Sequence, residues 1–183
     1  MNKLRLSYTL LDLWQRNRIE DAINYYFKTA DIPETDALLE GKAWDSIIQH
    51  EIEKKSRLPD QFGGMKVAKE FKCQLKITKS ISNTFDLVGV LDGYWKNTIY
   101  EFKTGYKSSF EYTNSPQLGI YSWLCSLKGI ETEKIIVIRY NQHEGKYDWS
   151  QVWVTEEMKD KAKNFVFTVG DAIHSYFISE GLL

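Results

Sequence analysis

The chain has 183 residues, 43% of them hydrophobic and 14% aromatic, which is enough for one packed domain and too apolar for a disordered chain. Its formal net charge of −1 argues against binding nucleic acid by bulk positive charge, although a local basic surface can act alone. No apolar run reaches the ~18 residues of a membrane span. The opening MNKLRLSYTLLDLW has no apolar stretch followed by a small-residue cleavage site, so an intracellular location is expected.

Ser7 is placed to cap a first helix running to about Ala30, with Leu10, Leu11, Trp14, Ile19, Ile23, Tyr26 and Phe27 as its apolar stripe. Asp31-Ile32-Pro33 ends it. A second helix is expected from about Thr35 to Arg57, closed by Leu58-Pro59-Asp60 and Gly63-Gly64. Met65 to Thr78 reads as a strand, with Phe71, Cys73, Leu75 and Ile77 alternating against Lys72, Gln74, Lys76 and Thr78. Two more strands lie in Leu87–Gly105. Ser115-Pro116 starts a helix that Gly129 closes. Lys134 to Tyr140 is a continuous apolar strand of the kind covered on both faces. A strand at Tyr147 to Val154 follows, then a helix capped by Thr155 with Glu156 and Glu157 in its first turn, running to about Ser179. The order is ααβββαββα. It predicts an α/β (α+β mixed) fold in one domain, residues 1–183, with a central mixed β-sheet and helices on both faces. No linker or internal repeat divides the chain.

Cys73 and Cys125 are the only cysteines, too few for an iron–sulfur cluster held by four thiolates. No Ser-His-Asp or Cys-His pattern is evident. The chemistry collects in LVGVLDGYWKNTIYEFKTG, residues 87–105. A two-residue loop at Lys96-Asn97 sets Trp95 against Thr98, Tyr94 against Ile99 and Asp92 against Glu101. Opposed Cβ atoms lie ~4.5–5.5 Å apart, so two carboxylates there repel and need a cation. Period-two alternation puts Glu101 and Lys103 on one face and Phe102 on the other. A three-residue loop would instead set Phe102 against Asp92. Taken alone, these charges also fit a solvated ion-pair cluster.

Asp92, Glu101 and Lys103 form D-x8-E-x-K, followed by Thr104-Gly105. Gln117-Leu-Gly-Ile-Tyr121 lies on the next helix, and Gly41 opens GKAWD upstream. From LSYTLLDLW to Tyr121, this set resembles the PD-(D/E)XK nuclease superfamily, in particular its RecB-type branch with a Q-xxx-Y signature.

The resemblance implies a restriction-endonuclease-like core and a Mg²⁺- or Mn²⁺-dependent deoxyribonuclease, an exonuclease or a repair, recombination or phage nuclease. Asp92 and Glu101 resemble its metal-binding carboxylates, and the Phe102 backbone carbonyl its third ligand. Lys103 resembles the catalytic lysine, Gln117 and Tyr121 the auxiliary pair beside the DNA, and Glu70 an acid found before the preceding strand. The branch carries a metal-binding histidine four residues after the helix glycine, where this chain has Asp45. At about 100° per residue, Trp44, Ile47, Ile48 and Ile52 define the inward arc. Asp45 flanks that arc and His50 points away, so Asp45 is the expected ligand, directly or through water. An aspartate there hardens the site toward Mg²⁺ or Mn²⁺. Lys66, Lys69, Lys72, Lys76 and Lys79 form either a solvated strand face or a basic track for phosphates. DNA is the expected partner. No helicase motif is present, so any motor would come from a helicase or recombination partner protein. The competing expectation is a non-catalytic nucleic-acid-binding or assembly subunit on the same fold.

Overall fold

The computed structural model describes residues 3–29 and 36–183; the break expected at Asp31-Ile32-Pro33 and the helix start at Thr35 fall outside them. Leu4–Ser7 is a short strand, β1, with Leu4 and Leu6 buried and Arg5 exposed between them. Ser7 caps α1 (Tyr8–Gln15), its hydroxyl accepting from the Leu10 amide at 3.3 Å. The single helix expected from the Ser7 cap to about Ala30 is instead two helices, α1 and α2 (Ile19–Phe27), and the strand before it was not expected. The chain breaks at Asn17, whose φ of 59° is a left-handed conformation that asparagine tolerates better than most residues. Helix α3 (Asp36–Lys55) matches the second expected helix. It presents Ile48 and Ile52 inward, but Ile47 is 44% exposed, contrary to the arc drawn from the sequence.

A 3₁₀ turn at Asp60–Phe62 precedes β2 (Lys72–Ser80). Residues 65–71 do not extend that strand as expected; they pair only through an isolated bridge, Arg57 with Lys66. Strands β3 (Phe85–Trp95) and β4 (Thr98–Thr104) turn at Lys96 and Asn97, with φ of 44° and 57°. Two successive left-handed residues make the type I′ turn that matches strand twist. A short helix not expected from the sequence, α4 (Ser109–Tyr112), is held by a reciprocal Ser108–Glu111 capping box. Then come α5 (Pro116–Leu127), β5 (Lys134–Asn141), β6 (Lys146–Trp153) and α6 (Glu156–Ser179), the last capped by Thr155. The observed order is βαααβββααββα, which corrects the shorter order expected; the mixed sheet with helices on both faces is as expected.

The strand pairing explains where a site can open. One edge of β3 is taken by antiparallel β2. The other is shared: parallel β1 pairs with Phe85–Val88, and antiparallel β4 with Gly93–Trp95. Between them, residues 89–92 face a split in the sheet. Beyond it, β4 runs parallel to β5, and β5 antiparallel to β6.

Each side of the sheet buries its own apolar cluster. Leu6, Leu87, Ile99, Val137 and the α5 and α6 side chains fill the larger one; Ile48, Ile52, Phe62, Phe102 and Ile138 fill the smaller one beneath α3. Each fully buried Leu or Ile contributes ~1.5–3 kcal/mol. Cys73 packs with the smaller cluster, while Leu75 and Ile77, two and four residues on, pack with the larger. Side-chain parity thus slips at Gln74, whose φ is 48°, beside Asp92 in the split. Helix α5 is buried from Leu118 to Cys125 and lies between the sheet and α6.

Gly89 matters here because its missing side chain seats α5: an added Cβ would lie 3.0 Å from Leu124 and 3.1 Å from Tyr121. Gly89→Ala is expected to push Tyr121 outward and cost about 1–3 kcal/mol in denaturant unfolding.

Candidate active site

Strand β4 delivers alternate residues to the α5 side, so Glu101 and Lys103 share a face while Phe102 points into the cluster under α3. Glu101 is 1% exposed. Lys103 Nζ donates to Glu101 Oε1 at 2.6 Å and to Gln117 Oε1 at 3.3 Å. Gln117 Nε2 in turn donates to the Tyr121 hydroxyl at 2.7 Å. One helical turn separates the two on α5, so the helix presents them as a rigid pair. The second carboxylate oxygen, Glu101 Oε2, is buried with no hydrogen-bond partner.

The β3–β4 ladder ends one pair short of the expected Asp92–Glu101 opposition, its last pair being Gly93 with Tyr100. The reason is chemical. The Phe102 amide donates to Asp92 Oδ2 at 3.0 Å, so the carboxylate takes the place of a main-chain acceptor and the strands part. The even-length turn is as expected; the direct opposition is not.

Asp45, on α3, lines one shallow cleft with Ile48, Gln49, Cys73, Gln74, Asp92 and Phe102. The split in the sheet lets this acid reach the same gap as α5, although α3 covers the opposite face. Partial burial raises the Asp45 carboxyl above its usual range; Lys103 opposes the rise and Glu101 adds to it. Asp92 is raised well above the usual range by burial and by Glu101, against the pull of Lys103 and the Phe102 amide. Burial alone would lower Lys103, but Glu101 and Asp92 outweigh it and keep the ammonium charged. Burial raises the Tyr121 hydroxyl strongly, so it stays neutral.

Among the described residues, no three His, Cys, Asp or Glu side chains form a group able to hold a metal ion. Asp45 is thus beside the carboxylate pair without completing a three-acid cage. The donors still suit a hard cation. Mg²⁺ is typically held by one or two carboxylates with waters and substrate phosphates, and the unpartnered Glu101 Oε2 is a buried oxygen in want of positive charge.

Other expected residues fall outside this bonded group. Glu70 is exposed in a turn before β2, and Lys72 is the exposed first residue of that strand. His50 and His143 are exposed as well. An added Cβ at Gly41 would meet nothing within 4 Å, so packing does not require glycine there.

Two features were not anticipated. Tyr8, just after the Ser7 cap, interacts electrostatically with Lys103 and with Tyr121, and burial raises its hydroxyl. It lies within the LSYTLLDLW segment, but nothing in its spacing singles it out. The second is a clasp beneath the loop after Lys103. Arg139, 8% exposed, donates from Nε to Asp148 Oδ1 at 2.5 Å and from Nη1 to the Gly105 carbonyl at 3.1 Å. Asp148 Oδ2 accepts from the Ser109 amide at 2.9 Å. An arginine inside the apolar run KIIVIRY was the available signal, since buried charges are paired.

Partial burial would raise the Asp148 carboxyl, but the bonds from Ser109 and Arg139 outweigh it and hold it below the usual range. A depressed acid contributes stability above its unfolded pKa of ~3.9 and loses it as pH falls through the folded value. Asp148→Asn should therefore flatten the fall of the thermal midpoint below about pH 4 and lower it at neutral pH. Asp148→Ala, which strands Arg139 and the Ser109 amide, should cost about 1–3 kcal/mol.

No family model matches the chain, and no curated protein sequence matches it. Solved structures do. A candidate exonuclease of Eubacterium rectale aligns at a TM-score of 0.67 and 14% identity, covering 100% of this chain and 84% of its own. A phage-related exonuclease of Haemophilus somnus 129PT aligns at 0.55 and 12%, covering 90% and 82%. The alkaline exonuclease LHK-Exo of Laribacter hongkongensis aligns at 0.50 and 9%, covering 97% and 93%. At these identities the likeness is one of fold, and this chain has the mixed α/β fold of those exonucleases.

Proposed function

We propose that this chain is a Mg²⁺- or Mn²⁺-dependent deoxyribonuclease that hydrolyses phosphodiester bonds, acting as an exonuclease of the RecB-like kind. The observation that carries this reading is the pairing of buried Glu101 with half-buried Lys103, with Glu101 Oε2 unpartnered and Asp92 held beside it by the Phe102 amide. The fold shared with exonucleases supports it. Asp92, Glu101 and the Phe102 carbonyl would hold the ion, with Asp45 joining through water. A divalent ion there supplies Lewis acidity toward water and neutralises charge on the scissile phosphate.

The chain's own groups do the rest. Lys103 offers a fixed positive charge where negative charge builds during attack. Gln117 steers that ammonium, and the Tyr121 hydroxyl, which accepts from Gln117 Nε2, anchors Gln117. Water adds to phosphorus, the ester P–O bond breaks, and one product keeps the phosphate while the other ends in a hydroxyl. No side-chain nucleophile is required. Roles in repair or recombination, with a helicase as partner, belong to the same proposal.

One observation favours a second reading, a non-catalytic nucleic-acid-binding subunit: the absence of a three-ligand group among the described residues. Incubating the chain with end-labelled linear, closed circular and single-stranded DNA separates the two. The nuclease reading predicts degradation of linear substrates with Mg²⁺ or Mn²⁺ and none with chelator. Intact DNA under every condition overturns it, and cutting of the closed circle overturns the exonuclease part alone.

A further inference from the structure

Parallel strands β4 and β5 end side by side, so the loop after Lys103 and the turn after Asn141 meet. There the Tyr106 ring stacks on His143, with centroids 4.5 Å apart and planes 28° apart, and its hydroxyl lies 2.5 Å from His143 Nε2. Tyr106 is nevertheless 77% exposed, so one ring face is covered and the other is open to solvent. Phe110, on α4, is 69% exposed. These are the two most exposed large hydrophobic side chains among the described residues.

They do not sit on a loose loop. The Gly105 carbonyl accepts from Arg139, the Gly105 amide donates to the Tyr140 carbonyl, and Ser109 is bonded to Asp148 and Ser150. The Ser108–Glu111 capping box closes the segment. Two large rings are thus held out in water on a backbone tied down from below. Holding an aromatic ring rigid and one-sided lowers the entropy lost when a flat partner lands on it.

Position narrows the partner. Tyr106 lies three positions after Lys103 in the chain, so their Cα atoms lie within about 11 Å. Phosphates along one strand of duplex DNA advance about 3.4 Å per nucleotide along the helix axis. A strand whose phosphate lies at Lys103 therefore carries bases within a few nucleotides of Tyr106. Bases stack on aromatic rings irrespective of sequence, but only when unpaired and unstacked from their neighbours.

We infer that Tyr106, backed by His143, is a stacking platform for the unpaired bases of a single-stranded segment beside the site. This deepens the nuclease reading and rests on it for the position of the phosphates. It assigns a substrate class: single-stranded DNA, free or as an overhang on a duplex.

The test is binding without turnover. Fluorescence anisotropy in chelator compares a short labelled oligothymidylate with an abasic oligomer of equal length, which has the same phosphates and no bases. The parent should bind the base-bearing strand about ten-fold more tightly. Tyr106→Ala should lose most of that preference, and Tyr106→Trp should keep it. Equal affinity of the parent for the two strands, or an unchanged preference in Tyr106→Ala, overturns the platform. A blunt duplex bound as tightly as the single strand overturns the substrate class. Because the readout needs neither metal nor cleavage, it is separable from the nuclease reading: hydrolysis without base preference sinks the platform alone, and base preference without hydrolysis sinks the nuclease alone.

Discussion

Lys103→Ala is expected to lower Mn²⁺-dependent DNA hydrolysis by about 10²–10³-fold, the usual consequence of removing one preorganised donor from a developing anion. The loss has a structural companion. Lys103 is the donor to Glu101 Oε1, and Glu101 Oε2 already has none. Without the ammonium, a carboxylate 1% exposed is left wholly unpaired. Breaking a buried pair from one side typically costs ~3–5 kcal/mol, so the variant should also melt lower. The double variant Glu101→Gln with Lys103→Ala removes the stranded charge. It should regain much of the stability and none of the activity. Activity and thermal midpoint measured on the parent and both variants separate catalysis from folding.

The opposite trade is expected at Asp92. Its carboxyl is raised by burial and by Glu101, so folding disfavours its ionised form. Asp92→Asn keeps an acceptor for the Phe102 amide and removes the charge. In metal-free buffer at neutral pH it should be more stable than the parent by about 1–3 kcal/mol, the scale of relieving a partly compensated buried charge. An acid with a raised folded pKa loses stability as pH rises through that value. The gap should therefore shrink as pH falls and close below ~4, where the parent's carboxyl is protonated in both states. Hydrolysis should be lost throughout. Denaturant titrations across pH, run beside the nuclease assay, check both halves; an Asn variant less stable than the parent at neutral pH would contradict this electrostatic picture.

Much of this arrangement can be read from residues alone, where strong local signals agree. The period-two pattern of β4 gives the shared face of Glu101 and Lys103, and that is where the bond between them lies. Ser115-Pro116 and Thr155 mark helix starts because capping is local chemistry. The turn at Lys96-Asn97 follows from strand patterning without a glycine to mark it.

What stayed hidden depends on contacts distant in sequence. Strand β1 is four residues long and merges with the apolar stripe of α1, so only its pairing with Phe85–Val88 reveals it. The α1–α2 break has neither proline nor glycine. The ladder stops at Gly93 and Tyr100 because an Asp92 side chain competes with the main chain for the Phe102 amide, which no strand periodicity encodes. The Ser108–Glu111 capping box is legible in sequence, but a helix of four residues is too short to carry an apolar period of its own. Ile47 is exposed because α3 covers only part of the smaller cluster, a matter of helix placement rather than helix period.

The central claim is that the Asp92–Glu101 corner, backed by Lys103, holds a divalent cation. Calorimetric titration of Mn²⁺ into the metal-free chain tests it most directly. The account predicts saturable binding by the parent and none by Glu101→Gln. A parent that takes up no Mn²⁺, or a Glu101→Gln variant that binds it equally well, would contradict it.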